Sequence, residues 1–230
     1  MSELIPQHIA VIIDGNRRWA KANGLQTKDG HEKGYNNVRE MMGWIDEIGI
    51  RYCTVYALST ENMKRKPSEV AYLMKLLMKA FTQHLKEFNQ RNIKLLVSGR
   101  LDQLSHELQI AIKKALRLTK NNTKIVLNFA INYGGRAELV DGVKKLIADN
   151  IPPNKIDEEM LRKSLYQNGS LPDPDLIIRT GGHKRLSNFL PWQSVYSELY
   201  FTDTLWPDFS KKDLQAALRD FADRKRNFGK

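Results

Sequence analysis

The sequence predicts an α/β protein built as one domain, 1–230, around a mostly parallel six-stranded sheet flanked by helices. Three observations predict it. Short apolar runs alternate with segments of helical spacing along the whole chain. The connections between the runs are long enough for crossovers rather than hairpins, which argues for parallel strands covered on both faces. No internal repeat, low-complexity tract or change of composition divides the chain.

The first strand is the run Ile9–Ile13, closed by the turn signal Asp14, Gly15 and Asn16. A glycine-bearing connection (Gly24, Gly30, Gly34) leads to Val38, Met41, Met42, Ile45 and Ile48, a helix stopped by Gly49. Tyr52–Leu58 reads as the second strand, followed by a polar loop from Ser59 to Arg65. From Pro67, apolar residues at steps of three and four continue through Phe81 and Leu85 to Phe88 and predict one long helix. Ile93–Val97 is the third strand, Leu104 to Leu116 a helix, and 124–131 the fourth strand, closing in Asn132, Tyr133, Gly134, Gly135 and Arg136.

Leu139, Val140, Val143 and Ile147 mark the next helix, and a loop around Pro152 and Pro153 leads to a short helix opened by Asp157, Glu158 and Glu159. Leu176–Ile178 is the fifth strand, and Glu198–Phe201 the sixth. Ser210 with Asp213 has the spacing of a capping box opening a last helix, whose basic end is Arg224, Lys225 and Arg226.

A chain of 230 residues with 41% hydrophobic content can bury a sizeable core. Its formal charge of +11 suits a polyanion, an anionic membrane face or a phosphorylated substrate. The single cysteine, Cys53, sits in an apolar run, so no disulfide framework exists and a reducing compartment is expected. No segment has the roughly 20 apolar residues of a membrane span, and no leader pattern opens the chain. The expected location is cytoplasmic, with peripheral contact at the inner face of the membrane.

Arginine recurs just past strand ends, at Arg18, Arg65, Arg100, Arg136, Arg179 and Arg185. Strand ends of a parallel sheet face one way, so these guanidiniums are placed to converge on one rim and grip phosphate oxygens. Asp14 reads either as a helix cap or as a metal carboxylate. One acid among arginines suffices for Mg2+, whose other ligands are water and substrate phosphate, and Glu198 is the expected second acid. There is no Walker loop and no G-x-G-x-x-G after a strand, and five histidines with one cysteine make no zinc set. The apolar stripe of the Pro67–Phe88 helix, with Met74 and Met78, suits either core packing or a hydrophobic tunnel, which periodicity alone does not separate.

The stretches HIAVIIDGNRRWA, YALSTENMKR, INYGGRAELVDGV, DLIIRTGG, RLSNFLPWQSVYSELYFTDTLWPDF and the closing RNFG resemble a cis-prenyltransferase of the undecaprenyl diphosphate synthase type. The resemblance implies a homodimer with a greasy tunnel that condenses isopentenyl diphosphate onto an allylic diphosphate such as farnesyl diphosphate, with Mg2+. It implies catalytic roles for Asp14 and Asn62 and metal binding by Asp14 and Glu198. It places the allylic diphosphate against Gly15, Asn16, Arg17, Arg18, Trp19, His31, Ser59, Glu61, Met63 and Arg65, with Glu69 just beyond, and isopentenyl diphosphate against Arg179, Arg185 and Ser187. The helices at Val38–Ile48 and Val70–Phe88 are the candidates for the tunnel wall.

Four positions depart from that pattern: Thr27 stands where the family commonly has arginine, Met63 for tryptophan, Lys66 for proline and His183 for an acid. They bear on chain length and allylic substrate, and a member making short or irregular isoprenoids is the second enzymatic reading. A basic module binding nucleic acid or acidic lipid would also account for +11, but no aromatic-interleaved platform is evident, so no nucleic acid partner is expected. A phosphohydrolase is disfavoured because Asn16 stands where a second aspartate would be wanted.

Overall fold

The structure, a computed structural model, describes residues 4–224. Lys225, Arg226 and the RNFG motif lie outside the described residues. The strands are β1 (His8–Ile12), β2 (Tyr52–Ser59), β3 (Ile93–Ser98), β4 (Ile125–Tyr133), β5 (Leu176–Arg179) and β6 (Glu198–Phe201). They form one sheet in the order β3-β4-β2-β1-β5-β6. Every pairing is parallel, the sixth strand's included. The order turns back between β1 and β5, and the crevice beyond the carboxyl ends of two such strands is where open α/β sheets bind ligands.

Strand residues alternate between two cores, as a pleat of period two requires. Ile9 and Val11 join the larger cluster, with Met41, Met42 and Ile45, Phe81 and Phe88, Leu108 and Ile112, and Leu214 and Phe221 packed over it. Ala10 and Ile12 face the smaller one, with Tyr56, Tyr133, Ile177 and Phe189. On this second face a polar chain crosses four strands: His8 Nε2 lies 2.9 Å from Thr54 Oγ1, Asn128 Nδ2 donates to Thr54 at 3.4 Å, and Ser98 donates to Asn128 at 3.0 Å. Each buried group thus finds a partner, which is the condition for tolerating it there.

Helices α1 (Asn16–Ala22) and α2 (Thr27–Ile48) replace the expected glycine-bearing connection. Gly30 and Gly34 lie inside α2, where they are spacers rather than turns. A Cβ on Gly30 would overlap the Asn16 carbonyl oxygen, and one on Gly34 the Asn16 side chain. The two helices cross in contact because these positions carry no side chain. Gly49, with φ 90°, ends α2 as expected.

The stripe from Pro67 to Phe88 is two helices, α3 (Pro67–Phe81) and α4 (Leu85–Gln90). The break falls at Thr82, where φ −125° and ψ −72° leave the helical region and the hydroxyl donates to the Met78 carbonyl at 2.6 Å. Apolar periodicity persists across the break because both pieces pack on the same core. Helices α5 (His106–Thr119), α6 (Gly135–Ala148), α7 (Glu158–Ser164) and α8 (Lys211–Asp223) follow near their expected places. Asp157 caps α7 through the Met160 amide, and Ser210 with Asp213 forms the expected box at α8.

Candidate active site

The chain leaves β1 at Ile12 and turns at Gly15, whose φ of 121° is open to glycine and strained for other residues. Asp14 is thereby set at the β1–β5 switch point. Its backbone carbonyl accepts from the Thr180 hydroxyl at 2.7 Å and the Trp206 amide at 3.0 Å, which ties the turn to both neighbouring loops. Its carboxylate does not cap α1. Arg18 Nη2 reaches Oδ1 at 3.1 Å, while Arg179 Nη2 and His183 Nδ1 reach Oδ2 at 3.0 and 3.1 Å. Burial works to raise the Asp14 carboxyl, but the hydrogen bonds and charges of Arg179 and Arg18 outweigh it and hold the group below the usual carboxylate range.

Arg179 is buried, as the last residue of β5. Its Nη1 donates to Ser187 Oγ at 2.7 Å and to the Arg185 carbonyl, while its Nε is buried without a partner. The Arg185 side chain itself is exposed. Ser187, Asn188 and Leu190 all take positive φ in the loop that holds Arg179 from behind.

A second cluster stands opposite. Glu69, in the first turn of α3, accepts from His31 Nε2 at 3.0 Å and Arg65 Nη1 at 3.0 Å, with Arg17 Nε at 3.9 Å. Burial raises the Glu69 carboxyl, but His31, Arg65 and Arg17 together bring it below its usual range. Burial lowers His31, and Arg65 and Arg17 add to that against the opposing pull of Glu69. The ring is therefore neutral at pH 7, with Nε2–H donating to the carboxylate.

Between the two clusters opens a cavity of about 960 Å³. Its mouth carries Asp14, Gly15, Asn16, Arg17, Arg18, Lys21, Gln26, Thr27, His31, Asn62 and Arg65. Its depth is lined by Tyr35, Val38, Val55, Ala57, Leu73, Leu76, Leu77, Ala80 and Phe129. Cations at the entrance and hydrocarbon below make a receptacle for a molecule with an anionic head and an apolar tail.

The structure brings eight of the expected allylic-side and catalytic residues to this cavity and leaves others beside it. Trp19 turns away, its Nε1 donating to Asp208 at 2.7 Å. Ser59 and Asn62 bond reciprocally, Asn62 N to Ser59 Oγ at 3.1 Å and Ser59 N to Asn62 Oδ1 at 3.2 Å, so Ser59 shapes the loop. Glu61 accepts from Asn188 at 3.1 Å, and Met63 packs against the core.

Glu198 is not brought to Asp14. It opens β6 opposite Leu176, three residues before the strand end, and its carboxylate is held by Arg224 at 2.6 Å. Three residues of strand span about 10 Å, which separates it from the rim. Nor do all six arginines converge. Arg100 forks onto Asp141 of α6 at 2.8 and 2.9 Å, and the Arg136 side chain is exposed. The first of these is a structural pair, chosen by an acid that strand-end position does not reveal. Two residues stand nearer the centre than expected: Glu69, joining His31 of α2 to Arg65, and His183, on Asp14 itself. Glu69 is legible from sequence only as an acid in a first helical turn.

Fold and site together define an α/β enzyme that receives an amphipathic anion at a guanidinium-lined mouth. A prenyltransferase family model described as undecaprenyl diphosphate synthase matches residues 12–229. The chain is 48% identical over 229 residues to an isoprenyl transferase of Fusobacterium nucleatum, covering 100% of this chain and 98% of that protein. It is 45% identical over 233 residues to a tritrans,polycis-undecaprenyl-diphosphate synthase (geranylgeranyl-diphosphate specific) of Thermoplasma volcanium, covering 98% of this chain and 89% of that one. The crystal structure of lavandulyl diphosphate synthase from Lavandula x intermedia in complex with dimethylallyl diphosphate superposes with a TM-score of 0.93 at 36% identity, covering 98% and 99% of the two chains. The chain belongs to the undecaprenyl diphosphate synthase family and is a prenyltransferase.

Proposed function

We propose that this enzyme condenses isopentenyl diphosphate onto farnesyl diphosphate or a similar allylic diphosphate, repeatedly and in cis. The product is a long polyprenyl diphosphate such as undecaprenyl diphosphate, the carrier precursor for cell-wall glycan synthesis. The observation that carries this reading is the cavity, charged at Asp14, Arg17, Arg18 and Arg65 and apolar down to Ala80 and Phe129. The allylic diphosphate sits at the charged mouth with its tail in the apolar depth, and Arg179, Ser187 and Arg185 take the isopentenyl diphosphate.

In each round the allylic C1–O bond breaks, C1 bonds to C4 of isopentenyl diphosphate, and the proton lost from C2 leaves with the diphosphate. Negative charge grows on the departing oxygens. Arg18, and Arg17 and Arg65 anchored by Glu69, present fixed cations to it, so little reorganisation is needed as the bond breaks. The apolar depth excludes water from the carbon that turns cationic.

The donor set fits a divalent ion. Asp14 is an ionised carboxylate at the mouth, and among the described residues no cluster of three or more His, Cys, Asp or Glu side chains forms a cage. That is the pattern of an Mg2+ held by one carboxylate, substrate phosphates and water. When bound, the ion would neutralise charge on the leaving diphosphate.

The reading includes a cytoplasmic homodimer with one face on the inner membrane. Exposed Val140, Val143 and Ile147 on α6 support the pairing. Exposed Ile110 and Leu118 among Lys113, Lys114 and Arg117 on α5 support the lipid contact. No helix of the described residues is long and apolar enough to cross a membrane.

Incubation with Mg2+, isopentenyl diphosphate and dimethylallyl, geranyl, farnesyl or geranylgeranyl primers, followed by sizing, tests the reading. Long products are expected from farnesyl diphosphate, and Asp14→Ala should abolish them while leaving the circular dichroism unchanged. No elongation from any primer would overturn it. The close superposition on lavandulyl diphosphate synthase, with Thr27 and Met63, favours a short or irregular product as the second reading, which the same sizing separates.

A further inference from the structure

We propose that His183 is a second side-chain ligand, beside Asp14, of the divalent ion that binds with the allylic diphosphate, and that it tilts the site from Mg2+ toward Mn2+. This rests on the diphosphate and metal reading above.

His183 Nδ1 lies 3.1 Å from Asp14 Oδ2. Two neighbouring ligands each about 2.1 Å from an octahedral ion are separated by about 3.0 Å, so the N···O pair already has the spacing of one edge of a coordination shell. With a proton on Nε2 the ring would present its Nδ1 lone pair to such an ion. Arg18 Nη2 also faces Nδ1, at 3.4 Å, a long contact that a metal ion would replace. Asp14 Oδ2 already accepts from Arg179, and the carboxylate's charge is already met by two guanidiniums.

The backbone holds the pair together. The Gly181 amide donates to the Thr204 carbonyl at 2.8 Å and the Gly182 amide to the Thr202 carbonyl at 2.9 Å, while Thr180 and Trp206 fix Asp14 from the other side. The imidazole is 40% exposed, so solvent ions reach it. An imidazole nitrogen suits first-row transition ions, whereas Mg2+ favours oxygen throughout its shell.

The test uses the full chain with Mn2+ and the unreactive thiolodiphosphate analogue of farnesyl diphosphate, read by electron spin echo modulation. The wild type should show both 31P coupling from the diphosphate and directly bound 14N. His183→Asp should keep 31P, lose 14N, and lower the ratio of Mn2+ to Mg2+ affinity by about tenfold, with unchanged circular dichroism. Coupling to 31P without 14N in the wild type would overturn the assignment and leave the diphosphate reading standing. Retention of 14N in His183→Asp would also overturn it. Absence of both couplings would sink the diphosphate and metal reading along with it.

Discussion

Glu69 is the residue on which the allylic side of the mouth turns. Three cationic or proton-donating side chains from two helices and a loop lean on one half-buried carboxylate. Charge-assisted hydrogen bonds contribute about 1.5–3 kcal/mol each. Glu69→Gln keeps the shape and removes the charge, so Arg17 and Arg65 lose their anchor. We expect kcat/KM for the allylic substrate to fall by about 10- to 100-fold, with a much smaller change in the KM for isopentenyl diphosphate. Steady-state kinetics with each substrate varied in turn decides it, and equal effects on both would remove Glu69 from the allylic side. A different residue governs acid stability. Burial lowers His8 to about 4, against the opposing Pro172 carbonyl and the charge of Asp175. Protonation therefore favours the unfolded chain, whose histidine titrates near 6.5. The stability His8 confers as a neutral ring is complete above about pH 6.5 and is lost as pH falls toward 4, by on the order of 3 kcal/mol. Denaturant unfolding at pH 7.5 and 4.5 should show that loss in the wild type and less of it in His8→Asn. Neither role is legible along the chain, because His8 meets Thr54 and Glu69 meets His31 only across the folded sheet and between helices.

At the scale of elements, the α1–α2 pair carries Asn16, Arg17 and Arg18 into the mouth, and its spacing is set by two glycines. In sequence Gly24, Gly30 and Gly34 read as punctuation, which is correct for Gly24, with φ 67°, and incorrect for the other two. Helical periodicity does not distinguish a glycine that ends a helix from one that lets a neighbour approach. The strands, the capping box of α8 and the Gly49 stop were legible because each depends on local pattern. The break at Thr82 was not, since core packing continues through it. Adding a methyl group at Gly30 would push on the Asn16 backbone, which has no rotamer to yield. Gly30→Ala should destabilise by about 1–3 kcal/mol and reduce allylic binding by displacing α1. Gly43→Ala is the control: the nearest atom to its new Cβ would be Arg91 Nη2 at 3.6 Å. Removing a helix-interior glycine there should stabilise by about 0.5–1 kcal/mol. Thermal unfolding of both variants checks the pair, and equal shifts would refute the spacing argument.

For the whole molecule, the sheet order does what no single motif does: it sets β1 beside β5, so Asp14 and Arg179, 165 residues apart, share one ion pair. The same arrangement runs α3 alongside the cavity. Its stripe, ambiguous in sequence between core and tunnel, serves both: Leu73, Leu76, Leu77 and Ala80 line the cavity, while Phe81 belongs to the core. Ala80 is a small residue on the apolar wall, buried beside Leu77, with Phe129 on β4 also in the lining. If the tail of the growing chain advances into this depth, its length is limited by the space there and not by chemistry at the mouth. Ala80→Phe should therefore leave the first condensation and the KM of the allylic primer within about twofold and shift the products to shorter chains. Product sizing against time separates this from a general loss of activity, in which the first condensation slows too. A full-length product from a folded Ala80→Phe enzyme would mean that the chain leaves by another route and that the cavity holds only the primer.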